Sequence, residues 1–157
     1  MTTSLFIGQL GLGLALALAA VGSALGIGAA GKAAAGAWAK EAKAGKPLNF
    51  SYIILTGMPL SQTIYAFVLM LVGLKGAIVG NPEIVAAHSG TIFGIGLAGG
   101  IAELFSAAFQ GFIGAAACRA LSEGGGKGLT FMIIAMGIIE TVGLFGFVFL
   151  YMMIPTA

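Results

Sequence analysis

The sequence predicts an all-α membrane protein in which four transmembrane helices form two duplicated hairpins. Its 157 residues are 59% hydrophobic and only 8% charged, and their mean hydropathy is +1.09. Four apolar stretches each exceed the roughly 20 helical residues needed to cross the hydrocarbon core of a bilayer, which is about 30 Å thick. The second half of the chain also repeats the pattern of the first, which indicates a duplicated unit.

The elements follow from these apolar stretches. The first hairpin is predicted over residues 1–78, with helices at about 5–36 and 50–75, and the second over residues 84–157, with helices at about 89–119 and 128–154. None of the stretches shows the alternation typical of a membrane strand, so helices are favoured. The spans use most of the chain, which leaves no room for a soluble catalytic domain.

Basic residues are concentrated in two of the three connections. The middle connection has Lys75 alone, whereas the first and third hold Lys40, Lys43 and Lys46, and Arg119 and Lys127. The positive-inside rule therefore predicts that the first and third loops face the cytoplasm and that both termini lie outside. The single cysteine, Cys118, excludes an internal disulfide and a cysteine-clustered metal site.

The repeat is visible residue by residue. Residues 11–15 (GLGLA) match residues 94–98 (GIGLA) at an offset of 83. Further along, Gln62 and Thr63 match Glu140 and Thr141 at an offset of 78. Both halves keep the same direction, so this is a parallel repeat, unlike the inverted repeats of many secondary transporters.

Small residues dominate the first and third spans. GxxxG spacings occur at residues 22–26, 90–94 and 96–100, and in lipid such residues let helix backbones approach closely. Two arrangements agree with this pattern. One is ordinary packing in a four-helix bundle, and the other is a tightly curved multimer whose inner side holds the first and third spans, with the bulkier second and fourth spans outside.

A single carboxylate, Glu140, stands in the otherwise uncharged residues 128–157. An ionised acid at membrane depth is costly, and such residues usually mark an ion or proton pathway. The repeat places the amide Gln62 at the matching point of the first half. One acid for each pair of hairpins is the pattern of a carrier for one ion.

The second span offers oxygen atoms close to Gln62. Pro59 leaves a helix carbonyl without its usual donor, so backbone oxygens near it become available as ligands. Ser61 adds a hydroxyl. Met58, Gln62 and Tyr65 have the spacing i, i+4 and i+7, so they share one helix face.

With the amide of Gln110 on the third span and the charge of Glu140 on the fourth, these groups form a candidate oxygen cage. One negative charge among neutral oxygens suits a hard monovalent cation. Each neutral member also has a purely structural interpretation: Pro59 can kink its helix, Ser61 can bond to its own helix, and the glutamines can join helices. The charge of Glu140 is the hardest to explain structurally, because its cost requires a compensating role.

Taken together, these features resemble the proteolipid of V-type and A/V-type rotary ATPases, which is subunit K in bacteria. The resemblance covers nearly the whole chain and rests on the duplicated hairpin, the glycine-rich spans, the motif PLSQTIY at residues 59–65 and IET at 139–141. It implies a homo-oligomeric ring in the lipid bilayer of a bacterial cell membrane. The ring would turn against a static membrane subunit and contact the central stalk through its cytoplasmic loops. The family also implies a non-catalytic chain with no organic cofactor and no nucleic-acid partner.

The resemblance extends to the sodium-translocating branch of that family. There the ion is held by a backbone carbonyl before the proline, a hydroxyl, two glutamines and a glutamate. Those positions are filled here by Met58, Ser61, Gln62, Gln110 and Glu140. Tyr65 matches the tyrosine that hydrogen-bonds the glutamate. Na⁺ is therefore the expected ion, and H⁺ is the alternative, because a proton carrier of this kind needs only the acid.

Glu103 departs from the one-acid pattern. It precedes Gln110 by seven residues, which places it on nearly the same helix face and about 10 Å nearer the outside. Its repeat mate is Ala20. We expect Glu103 to be protonated, or hydrogen-bonded within or between subunits, and a secondary ion site is the alternative.

Two other functional classes fit less well. A small four-helix cation antiporter also uses one acid, but it would need aromatic residues around that acid to hold an organic cation. Here Glu140 is flanked by Ile138, Ile139 and Val142. A purely structural four-span protein would leave Glu140 unexplained.

Overall fold

Four long helices account for most of residues 2–156, the part of the chain that the computed structural model describes. They are α1 (Thr3–Lys43), α2 (Ser51–Ile78), α3 (Pro82–Glu123) and α4 (Leu129–Met152). Each is long and apolar enough to cross a membrane. The described residues contain no strand, so the all-helical prediction is confirmed.

α1 and α3 extend beyond their predicted ends. They contain 41 and 42 residues, or about 60 Å at 1.5 Å per residue, so their ends project past a bilayer. α3 starts at Pro82, because proline has no N–H to leave unpaired in the first helical turn. The backbone departs from helical geometry at His88, with φ −126° and ψ 20°, which kinks α3 near its start.

A hydrogen-bonded turn closes the connection between α1 and α2. The carboxylate of Glu41 accepts the backbone N–H of Asn49 at 2.9 Å and the hydroxyl of Tyr52 at 2.6 Å. The indole N–H of Trp38 donates to the carbonyl of Asn49 at 2.9 Å. These bonds tie the last turns of α1 to the start of α2 and explain why α1 runs well past residue 36.

α2 is irregular along its length. Its α-helical segments are interrupted by a 3₁₀ turn at Met58–Leu60 and a π-helical turn at Leu69–Leu74. Pro59 accounts for the first interruption because it cannot donate to the preceding turn. The segment Ser61–Val68, which lies between the two, is thereby set off from the rest of the helix. Irregular turns of this kind are frequent at functional sites.

α1 and α3 approach backbone to backbone. A side-chain Cβ on Gly96 would collide with the carbonyl of Gly11, and one on Gly111 would collide with the backbone of Gly26. The close approach depends on glycine on both helices, as the GxxxG spacings at residues 22–26 and 96–100 predict, whereas Gly90 and Gly94 have open space around them within the protomer.

Two apolar clusters enclose a polar layer. One cluster includes Tyr52, Leu121 and Met136, and the other includes Leu69, Ile78 and Ile92. The buried polar residues belong to neither cluster: Ser23, Gln62, Glu103, Ser106 and Gln110. Large side chains of α4 such as Phe131 and Phe149 point away from the other helices, as expected of a surface that faces lipid.

Candidate ion-binding site

A line of hydrogen bonds crosses the interior from α2 through α3 to α4. The hydroxyl oxygen of Ser61 lies 3.0 Å from the carbonyl oxygen of Met58 and 3.1 Å from Oε1 of Gln62. The amide Nε2 of Gln62 donates to Oε1 of Gln110 at 3.1 Å. The amide Nε2 of Gln110 donates in turn to Oε2 of Glu140, also at 3.1 Å. The structure therefore brings together all five residues of the predicted cage.

Glu140 accepts a hydrogen bond at each carboxylate oxygen. Tyr65 donates its hydroxyl to Oε1 at 3.0 Å, opposite the amide of Gln110 at Oε2. The ring of Tyr65 stacks on Phe147, two turns further along α4, with ring centres 6.0 Å apart. Tyr65 and Gln110 together fix the direction in which the carboxylate points.

The two glutamines have no contact with solvent. Gln62 and Gln110 are both 0% exposed, and a buried amide left unpaired costs free energy. Their partners fix the orientation of each amide, because the nitrogen of Gln110 also donates to the carbonyl of Met136 at 3.1 Å. Glu140 itself is only partly buried, so the charged end of the line lies nearest to the surface of the protomer.

The residue types of the site suit a hard cation. The candidate ligands are oxygens from a backbone carbonyl, a hydroxyl, two amides and one carboxylate. Within residues 2–156 no three His, Cys, Asp or Glu side chains come together as a metal-binding group. Zinc and other transition metals prefer nitrogen and sulfur ligands, whereas alkali and alkaline-earth ions prefer oxygen. One carboxylate balances the charge of one monovalent ion.

Comparison with protein families agrees with this architecture. The family described as the C subunit of ATP synthase matches the chain twice, over residues 10–72 and 93–153, which together are well over half of its length. The chain belongs to this family. It is therefore an integral membrane protein and a rotor-ring component of an ion-translocating rotary ATPase. Copies of such a subunit assemble into a c-ring. Comparison with curated protein sequences gives no match.

The family match also explains the repeat. The two matched regions begin at residues 10 and 93, the same offset of 83 that separates Gly11 from Gly94. Each region contains one hairpin, so the chain is a duplicated form of the rotor-ring hairpin. Gln62 lies in the first matched region and Glu140 in the second. Neither the antiporter nor the purely structural alternative agrees with membership of this family.

Three hydroxyl residues support the site of this ring protein and were not predicted from the sequence. Ser23 on α1 donates to the carbonyl of Pro59 at 2.6 Å and accepts from Thr63 at 2.7 Å. Ser106 on α3 accepts from Gln62 at 3.1 Å and donates to the carbonyl of Ile139 at 3.0 Å. Ser106 lies four residues before Gln110, so the helical period alone would have placed it on the same face.

Glu103 lies close to this network without joining it. Its side chain is 1% exposed, and neither carboxylate oxygen has a hydrogen-bond partner within residues 2–156. Of the alternatives predicted for Glu103, a hydrogen bond within the protomer finds no partner among these residues, and protonation or a bond between subunits stays a prediction. The carboxyl group instead faces Gly143 on α4, where an added Cβ would come within 2.5 Å of Oε2.

Proposed function

We propose that each protomer of the ring carries one Na⁺, held by Glu140 together with neutral oxygens of Met58, Ser61, Gln62 and Gln110. The observation that carries the proposal is the run of close polar contacts from the Met58 carbonyl through the Ser61 hydroxyl to the hydrogen-bonded side chains of Gln62, Gln110 and Glu140. A proton carrier needs only the acid. Two fully buried amides aligned with that acid supply the kind of oxygen ligands that a sodium ion requires.

Electrostatics gives the site its transport cycle. When Na⁺ is bound, the charge of Glu140 is neutralised, so the protomer can turn through lipid at low cost. When Na⁺ leaves, the carboxylate is exposed as a net charge and needs a new partner. A fixed positive charge on a static membrane subunit would supply that partner and direct the released ion into an aqueous path.

The proposed assembly is the V-type or A/V-type rotary ATPase of a bacterial cell membrane, with this chain as subunit K. The loops after α1 and α3 would face the cytoplasm and contact the central stalk, and both termini would lie outside. The lysines at residues 40, 43 and 46, with Arg119 and Lys127, support this orientation through the positive-inside rule. The ring would couple ion movement to a soluble head in either direction.

The test is protection of Glu140 from a carbodiimide. The reagent attacks a protonated carboxyl group, and bound Na⁺ excludes that proton, so labelling should slow as Na⁺ rises at fixed pH. K⁺ at equal ionic strength should protect poorly because it is larger. The variant Glu140→Gln shows which part of the signal comes from this residue. Labelling that follows pH and ignores Na⁺ would replace the sodium assignment with a proton-carrying ring.

A further inference from the structure

Glu103 is a buried acid for which the proposed transport cycle has no use. It lies on α3, on the same helix face as Ser106 and Gln110, and is almost fully enclosed between α3 and α4. An ionised carboxylate removed from water without a partner is strongly destabilising. Glu103 must therefore hold a cation or a proton.

The surroundings of Glu103 favour a proton over a metal cation. A cation such as Na⁺ needs several oxygen ligands. The nearest hydroxyl on the same face, that of Ser106, is already engaged between the amide of Gln62 and the carbonyl of Ile139. The space beside the carboxyl group exists because Gly143 has no side chain, and a Cβ there would also come within 2.9 Å of the Ser106 hydroxyl. This gap fits a neutral acid group, and the hydroxyl beside it is already engaged in two hydrogen bonds.

The charged and titratable groups that face Glu103 lead to the same conclusion. Glu140 lies on α4 three residues before Gly143, and Tyr65 on α2 donates its hydroxyl to Glu140. Neither side chain supplies a positive charge. No lysine or arginine within residues 2–156 pairs with Glu103. On α3 the nearest side chains that can carry a positive charge, His88 and Arg119, are fifteen and sixteen residues away, or about 22 and 24 Å. A second negative charge close to the cage would also hinder release of the transported cation.

We propose that Glu103 is a second ion-binding carboxyl group of each protomer and that its ligand is a proton. Glu103 stays a neutral acid throughout the transport cycle, both when Glu140 holds the transported ion and when it has released that ion. Because the carboxyl group is enclosed between two helices of one protomer, its proton stays in place as the ring turns. This inference rests on one part of the proposed function, namely that Glu140 carries the transported ion. It does not depend on that ion being Na⁺.

Infrared spectroscopy of the purified ring at neutral pH tests the proposal. The ring carrying Glu140→Gln should keep the C=O stretching band of a protonated carboxylic acid, and the double variant Glu140→Gln/Glu103→Gln should lose it. The matched control Glu140→Gln/Glu123→Gln removes an exposed acid and should keep the band. Absence of the band from Glu140→Gln, or its persistence in the double variant, would overturn the proposal.

Counting bound ions provides a test on the unmodified ring, independent of whether the variants assemble. Saturation binding of radioactive Na⁺ should give one ion per protomer. Two ions per protomer would mean that Glu103 holds a cation, and the proton assignment would be wrong. If Na⁺ does not bind at all while the Glu103 band is present in the Glu140→Gln ring, the sodium assignment fails and the Glu103 proposal stands.

Discussion

At the scale of single residues, the two halves of the duplicated chain differ most sharply at one pair of equivalent positions, which is Gln62 in the first half and Glu140 in the second. The two side chains are similar in shape, but only the acid has a charge to exchange between a cation and a fixed partner. The amide is fully buried and the acid is partly exposed. Gln62 therefore helps to hold the site in place, and Glu140 carries its charge.

The variant Glu140→Gln should abolish ion transport and ion-coupled ATP hydrolysis while leaving membrane insertion intact. Glutamine keeps the shape of the side chain and removes its charge, and a neutral residue enters the bilayer more easily than an acid. Uptake of Na⁺ into proteoliposomes and the amount of assembled ring measure the two effects separately. Turnover at the normal rate in this variant would remove Glu140 from the mechanism.

The variant Gln110→Ala should weaken Na⁺ binding by about 1.5–3 kcal/mol, the scale of a lost hydrogen-bonding partner to a charged group. That corresponds to a rise in dissociation constant of roughly tenfold or more. The change removes both a neutral oxygen and the donor to Glu140 Oε2. The Na⁺ dependence of carbodiimide labelling measures the affinity. Gln9→Ala, which removes an exposed amide on α1, is the control and should leave affinity unchanged.

Residue chemistry also determined which parts of the site the sequence could reveal. Glu140 and Pro59 are conspicuous because each is costly in a membrane helix, and the repeat directs attention to Gln62. Ser23 and Ser106 cost little anywhere in a helix, so nothing in their identity marks them. The two serines donate to backbone carbonyls, those of Pro59 and Ile139, which no residue pattern specifies.

At the scale of elements, the close approach of α1 and α3 depends on specific glycines. A Cβ on Gly26 would collide with the carbonyl of Ala107 and lie 2.9 Å from Cβ of Pro59. One position therefore governs how α1 packs on both α3 and the proline turn of α2. Gly28, two residues later on the same helix, has open space around it within the protomer.

The variant Gly26→Ala should destabilise the protomer by about 1–3 kcal/mol, the usual cost of forcing extra volume into a packed interior. Gly28→Ala makes the same chemical change where the chain has room, and the fold should tolerate it. Thermal dissociation of the detergent-solubilised ring compares the two. Equal loss of stability in both variants would show that helix propensity or contacts between protomers, rather than the contact between α1 and α3, control the result.

Hydropathy and repeat spacing predict four helices, but they do not fix where the helices end. α1 continues into polar residues because hydrogen bonding, not burial in lipid, determines its last turns. The bonds of Glu41 to Asn49 and Tyr52 join residues whose contact depends on a turn that no apolar pattern reveals. The π-helical turn at Leu69–Leu74 likewise could not be predicted, because its residue types are equally compatible with a regular α-helix.

At the scale of the whole molecule, a protein of this family is complete only in its ring. Exposed apolar residues occur on all four helices, including Phe105, Phe109 and Phe112 along α3. We expect gentle detergent extraction to yield one large species whose mass is many times 15.6 kDa, resistant to SDS until it is heated. Native mass spectrometry gives the number of protomers. A dimer as the largest species would contradict the proposed rotor.

The amide that the repeat places opposite Glu140 has a mechanical consequence. Four membrane helices supply one charge, whereas a rotor of single hairpins with an acid in each would supply two from the same number of helices. The ATP used per revolution is fixed by the motor, while each ion driven against 100 mV requires ~2.3 kcal/mol. A ring that moves fewer ions per revolution leaves more free energy for each of them. Such a rotor has a low ratio of ions to ATP. It can drive ions against a steep gradient, and it needs a steep gradient to make ATP.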